Sequence, residues 1–276
     1  MMKEREIKRA VREGYARIAK QATSYYASRG CCGCADISDE ISRRLGYTLE
    51  EIQAVPAESN LGLGCGNPVA LGAPREGEVV LDMGAGAGFD CFLASTRVGP
   101  SGKVIGVDIT SEMVDRAREN ARRGGYTNID FRQGDLENMP VADRYVDLVI
   151  SNCVINLVPN KRMVFKEAFR VLKPGGRLAV SDIVLRRELP DFVRRSTEAY
   201  IGCLAGAIMR DEYLRIIGEV GFQEIEVVEE SSFPIEPLLS EASGPAATGM
   251  QRISSQELQE VEDSVRSIKV RAVRPR

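Results

Sequence analysis

The sequence predicts an α/β protein built on one doubly wound, mostly parallel sheet of about seven strands. Three observations carry this reading. From residue 78 onward strand-like and helix-like stretches alternate, a glycine-rich turn "GAGAG" joins the first strand to its helix, and Asp108 closes the next strand. Strands that alternate with helices pair in parallel, because each right-handed crossover lays its helix back on the sheet.

The first 55 residues read as helices: Ile7, Val11, Tyr15 and Ile18 recur at helical spacing, with Ser38 and Thr48 as N-caps and Gly46 as a helix end. Between the first two helices lies the loop "SRGCCGCAD". A second loop, "NLGLGCGNPVALGAP", is expected to be irregular, since its glycines and prolines oppose regular structure. The strands "EVVLDMG", "KVIGVDI", "IDFRQG", "VDLVISN" and "RLAVSDIV" then alternate with the helices "GFDCFLASTRV", "SEMVDRARENARRGG" (capped by Ser111) and "NKRMVFKEAFRVL". A helical stretch follows over about 190–220, then the strand "EIEVVEE" and a closing strand "SIKVRAVR". Residues 231–265, rich in Ser, Pro, Ala and Glu, read as loosely structured or partly helical.

Composition removes several function classes. A net charge of -3 leaves no basic surplus for neutralising phosphates, so no nucleic acid is expected as partner. No apolar run approaches the roughly 20 residues of a membrane span, so no membrane is expected either. The charged N-terminal segment lacks the apolar core of a signal peptide, which points to the cytoplasm. There the seven cysteines read as reduced thiols for metal, metalloid or redox chemistry, not as disulfides. The absence of His removes the commonest general base and the commonest zinc ligand together.

In "VVLDMGAGAGFD", Gly84, Gly86 and Gly88 let the backbone turn sharply and pass close to a ligand. The spacing is GxGxG, and Asp108, at the end of the next strand, suits a carboxylate accepting ribose hydroxyls. Asp82 either orders the glycine turn or meets the ligand's amino group through water. An acceptor would sit at the carboxyl ends of the strands, where "VDLVISN" delivers Cys153. Asn152 beside it could contact the cofactor or fix the Cys153 loop. Cys65 and Cys203, each thinned of neighbours by glycines, could be brought to the same edge by their loops, whereas Cys91 reads as a core residue beside Phe92 and Leu93. A trio of cysteines alone implies a soft, thiophilic centre. Zinc would take four ligands and close the site. Trivalent arsenic, three-coordinate with a lone pair, would leave one face open.

Residues 79–184 resemble the Rossmann-like class I S-adenosylmethionine-dependent methyltransferases through "LDMGAGAG", "GVDIT", "GDLENMPVAD" and "RVLKPGGRL". That resemblance implies S-adenosylmethionine, with Gly84, Gly86 and Gly88 at its methionine part and Asp108 at its ribose. It also implies Ile109 and Met113 flanking the adenine and Leu136 covering the ring. "NLGLGCGNPVAL", "VISNCVINL" and "GCLAGA" resemble the arsenite methyltransferases over roughly residues 10–230. This likeness implies methyl transfer to arsenite and methylated arsenicals held by Cys65, Cys153 and Cys203. It further implies a redox Cys in "CCGC", among Cys31, Cys32 and Cys34, and a thioredoxin-like or glutathione-like thiol reductant, with a thioredoxin-type reductase as partner.

On this reading residues 1–75 are N-terminal helices and Cys-bearing loops over the active site, 76–185 the cofactor-binding core, and 186–276 an arsenic-binding helical segment, remaining strands and tail. The tail after residue 231 has no Cys and departs from the family pattern. Two alternatives share parts of the pattern: a C- or O-methyltransferase acting on a small molecule such as a quinone, and a non-catalytic thiol protein that sequesters metalloids.

Overall fold

The computed structural model of the protein describes residues 4–28, 37–233 and 254–276. Helices α1 (Glu4–Ser28), α2 (Ile37–Arg44), α3 (Leu49–Gln53) and α4 (Pro68–Gly72) precede the sheet. Then β1 (Val79–Met83), α5 (Phe89–Val98), β2 (Lys103–Asp108), α6 (Ser111–Gly124), β3 (Ile129–Gln133), β4 (Val146–Asn152), α7 (Lys161–Val171) and β5 (Leu172–Leu185) alternate. Short helices α8 (Asp191–Arg194) and α9 (Thr197–Ile201) lead to α10 (Arg210–Val220), β6 (Gln223–Ser232), α11 (Ser255–Ser264) and β7 (Val265–Val273).

The seven strands lie in the order β3-β2-β1-β4-β5-β7-β6. The first five run parallel, while β7 is antiparallel to both β5 and β6. Strand order reverses between β1 and β4, so the loops leaving their carboxyl ends diverge and open a crevice. Helices cover both faces, which is why the inner strands read as nearly continuous apolar runs. On β1 the alternation is direct: Leu81 and Met83 join the layer holding Phe165 and Tyr213, and Val80 joins the opposite layer with Phe92 and Leu148. A third cluster, at the carboxyl edge, gathers Val11, Cys65, Cys153, Leu157, Cys203 and Val261.

Thr48 caps α3 as expected, in a reciprocal capping box with Glu51. Two caps move by a residue. Ser38 lies inside α2, which begins at Ile37, and Ser111 is the first residue of α6, whose cap position is Thr110. The loop expected to be irregular contains α4, because the Asn67 side chain accepts from the Ala70 amide at 2.9 Å and Pro68 occupies the first helical position, where its missing N–H costs nothing. The described part of 231–265 ends β6 and then forms α11, capped by Ser254. Cys31, Cys32 and Cys34 lie outside the described residues.

All three glycines of the turn adopt positive φ: 78° at Gly84, 51° at Gly86 and 98° at Gly88. At Gly88 an added Cβ would stand 2.8 Å from both the Phe131 and Phe92 rings, so this glycine serves close packing as well as the turn. Gly88→Ala should therefore destabilise the fold by about 1–3 kcal/mol. Urea denaturation checks this, and an unchanged midpoint would contradict the packing role.

Candidate functional site

The crevice between β1 and β4 holds empty space of about 750 Å³, its open mouth included. Gly84, Gly86, Asp108, Ile109, Leu136 and Asn152 line it from the sheet side, and Cys153 lines it too. Helix α1 closes over it: Val11 and Tyr15 face the cavity, and Lys8 bridges Asp135 at 2.7 Å and Glu137 at 2.5 Å. Asp82 and Asp90 border a second lobe on the other side of the glycine turn.

Asp108 is braced by the backbone it faces. Its Oδ2 accepts from the Gly86 amide at 2.9 Å and its Oδ1 from Thr110 at 2.8 Å. Burial nevertheless raises its pKa, and two oxygens with about four acceptor sites leave room for further donors. Asp82 is 2 % exposed and accepts from the Cys91 thiol at 3.2 Å, with burial holding its carboxyl well above the usual range. Cys91 is thus a core residue that also carries a hydrogen bond. Two of the expected cofactor residues stand apart from the cavity lining. Met113 is fully buried on the first turn of α6, which packs on the sheet, and Gly88 faces Phe92 and Phe131.

The three expected thiols come together. Cys153 follows β4 and adopts a φ of 55°, and Cys203 follows α9 with a φ of 65°. Left-handed backbone is costly for a residue with a Cβ, and tertiary contacts must hold both in place. The Cys153 amide donates to the Ser181 carbonyl at 2.8 Å, and the Cys203 thiol donates to the Cys153 carbonyl at 2.8 Å. Cys65 is pinned on each side: its amide donates to Asn152 Oδ1 at 2.9 Å and its carbonyl accepts from Ser267 Oγ at 2.7 Å. Among the described residues, one set of three potential ligand groups meets within 4.8 Å, comprising Cys65, Cys153 and the Asp182 carboxylate. Cys203 joins through Cys153, to whose carbonyl its thiol donates.

Burial pushes the Cys65 thiol up to about 12. A hydrogen bond with Cys203 lowers the Cys153 thiol, but a bond with Cys65 and burial together hold it well above its ordinary value. The Cys203 thiol is raised too, by its bond with Cys153 and then by burial. Each of the three thiols thus holds its proton more tightly than a free cysteine does.

Asn152 connects this cluster to the second lobe. Its Nδ2 lies within hydrogen-bonding reach of the Gly66 carbonyl at 2.9 Å, Asp90 Oδ2 at 3.0 Å and the Tyr47 hydroxyl at 3.0 Å. Tyr47 in turn donates to Asp90 Oδ1 at 2.6 Å. Asn152 thus fixes the Cys65 loop more than the Cys153 loop. Sequence reasoning missed Asp90, Asp182, Lys8 and the part played by Tyr15. Only Asp182 left a signal, as an acid inside the apolar strand "RLAVSDIV".

The sheet order, the glycine turn and the acid closing β2 define a class I methyltransferase, and residues 74–221 match the methyltransferase-domain family. An arsenite methyltransferase of Halobacterium salinarum is 45% identical over 80% of this chain and 59% of its own length. One from Aquipseudomonas alcaligenes is 34% identical over 86% of this chain and 68% of its own. The crystal structure of an arsenic(III) S-adenosylmethionine methyltransferase from Chlamydomonas reinhardtii superposes with a TM-score of 0.62 at 33% identity, over 86% of this chain and 73% of that one. The chain belongs to the arsenite methyltransferase family. It spans about three-fifths of the length of the Halobacterium relative, 59%.

Asp90 offers a test of the second lobe. Burial raises its carboxyl from 3.8 to about 6, against hydrogen bonds from Tyr47 and Asn152 that lower it. A raised acid keeps its proton in the fold after the unfolded chain has lost it. Its contribution to stability is therefore complete below pH 3.8 and lost as the pH climbs through about 6. Unfolding midpoints between those limits should fall less steeply in Asp90→Asn than in the parent, and equal slopes would contradict the assignment.

Proposed function

We propose that the protein transfers a methyl group from S-adenosylmethionine to trivalent arsenic, as arsenite held by Cys65, Cys153 and Cys203 or as methylarsenite held by two thiolates of that trio. The observation that carries this reading is the convergence of these three buried thiols, of which Cys153 lines the crevice together with Gly84, Gly86 and Asp108.

The crevice fits that cofactor. A Cβ added at Gly86 would meet nothing within 4 Å, so the bare backbone faces open space where a ligand can lie against it. Gly84 and Gly86 would run along the methionine part and Asp108 would take the ribose hydroxyls, while Ile109 and Leu136 supply apolar walls for the adenine. Asp82, bordering the second lobe, is the acid available to the amino group. When bound, S-adenosylmethionine supplies an electrophilic sulfonium methyl.

The chain supplies capture, orientation and dryness. Each thiol that replaces a hydroxide on arsenite forms an As–S bond and breaks an As–O bond, and its proton leaves with the hydroxide as water. No protein base is required, which accords with a chain that lacks His. Arsenic bound by thiolates keeps its lone pair as the nucleophile, and the protein's contribution is then mainly proximity and orientation. Val11 and Tyr15 on α1 wall the same space from water. Methylation removes two electrons from arsenic, and a thiol reductant of thioredoxin-like or glutathione-like chemistry returns them. Cys65 paired with one of Cys31, Cys32 and Cys34 would relay those electrons from a thioredoxin-type partner in the cytoplasm.

Transfer of labelled methyl from S-adenosylmethionine in excess thiol, with and without arsenite, tests the proposal. Arsenite-dependent label should appear in a small methylated arsenical. Cys153→Ser and Cys203→Ser should each lower it by at least about a hundredfold while cofactor binding persists. Label independent of arsenite, or full turnover in either variant, would contradict it.

A further inference from the structure

Asp182 is given no role in the function proposed above, yet it stands with the thiols. Its side chain is wholly buried, and its carboxylate lies within 4.8 Å of the Cys65 and Cys153 sulfurs. It is held firmly: Oδ1 accepts from Asn156 Nδ2 at 2.9 Å and from the Ile183 amide at 2.9 Å, and Oδ2 accepts from the Tyr213 hydroxyl at 3.0 Å. Register places it there. Ser181 pairs with Asn152 across β4 and β5, so Asp182 and Cys153 come next on neighbouring strands as each leaves its last shared pair.

Two sulfurs and a carboxylate oxygen are not the donor set of trivalent arsenic, which takes three sulfurs in a pyramid. They suit a thiophilic divalent cation of the zinc group, which accepts sulfur and oxygen together in a tetrahedron. We infer that Cys65, Cys153 and Asp182 form a binding site for such a cation, Zn2+ or Cd2+, with one coordination position left open. Binding forms two metal–sulfur bonds and one metal–oxygen bond, and the two thiol protons leave to solvent. The site stands on the thiols and the carboxylate alone. Its consequence, that the cation and arsenic exclude one another, rests on the function proposed above.

The carboxylate separates the two ligands experimentally. In Asp182→Asn the remaining carbonyl oxygen can still accept from Asn156 and Ile183, and the new amide nitrogen faces the Tyr213 hydroxyl, which can accept as well as donate. The full chain with Cys31, Cys32 and Cys34 changed to Ser would be titrated with Cd2+, following the sulfur-to-cadmium charge-transfer absorption. One equivalent should bind, and Cys153→Ser should abolish the signal. Asp182→Asn should weaken Cd2+ by about tenfold or more while arsenite affinity changes far less. Arsenite should displace the cadmium. Binding lost in Cys153→Ser and weakened in Asp182→Asn, but indifferent to arsenite, would uphold the cation site and count against the arsenic reading. No charge-transfer absorption, or equal Cd2+ affinity in Asp182→Asn, would overturn the inference.

Discussion

The side-chain amide of Asn152 takes the amide hydrogen of Cys65 on its oxygen and turns its nitrogen to the Gly66 carbonyl and to Asp90. Nearly everything at the site depends on that joint. Asn152 ends β4, one residue before Cys153, so a single side chain ties a thiol from the N-terminal segment to a thiol from the sheet. A Cβ added at Gly64 would lie 2.8 Å from the Asn152 nitrogen, which is why the loop needs a glycine to approach so closely. The same nitrogen reaches the Tyr47–Asp90 pair, and so the second lobe and the thiol cluster share one fixed point.

Such a site needs little acid–base chemistry and much restraint. Buried thiols raised well above their ordinary range are poor nucleophiles toward chance electrophiles, and under the proposed function an arsenic hydroxide would carry away their protons. Restraint is visible in the backbone, where Cys153 and Cys203 both hold left-handed φ values. The cost is met by packing: the edge cluster around Val11, Leu157 and Val261 surrounds all three thiols with apolar side chains.

Much of the fold was legible because it is written in local periodicity. The alternation from Val79 to Leu185, the glycine turn and Asp108 each depend on near neighbours, and the closing strand at Val265–Val273 showed its alternation plainly. Helix α4 was not legible, because the single Asn67–Pro68 start signal is embedded among glycines that argue for a loop. The thiol trio was readable through motif likeness, but its surroundings were not. Asp182 meets Cys65 and Cys153 through strand register, and Lys8 meets Asp135 and Glu137 across more than a hundred residues of chain. Met113 was read from motif likeness alone. A motif likeness set it beside the adenine, and the structure adds that it is completely buried on α6.

The central claim is that three sulfurs from distant segments bind one arsenic. Arsenic X-ray absorption on the arsenite-loaded chain, with Cys31, Cys32 and Cys34 replaced by Ser, measures this directly. Three sulfur neighbours and no oxygen in the first shell is the predicted result. Two or fewer sulfurs with oxygen retained would mean that Cys65, Cys153 and Cys203 do not close on a common centre.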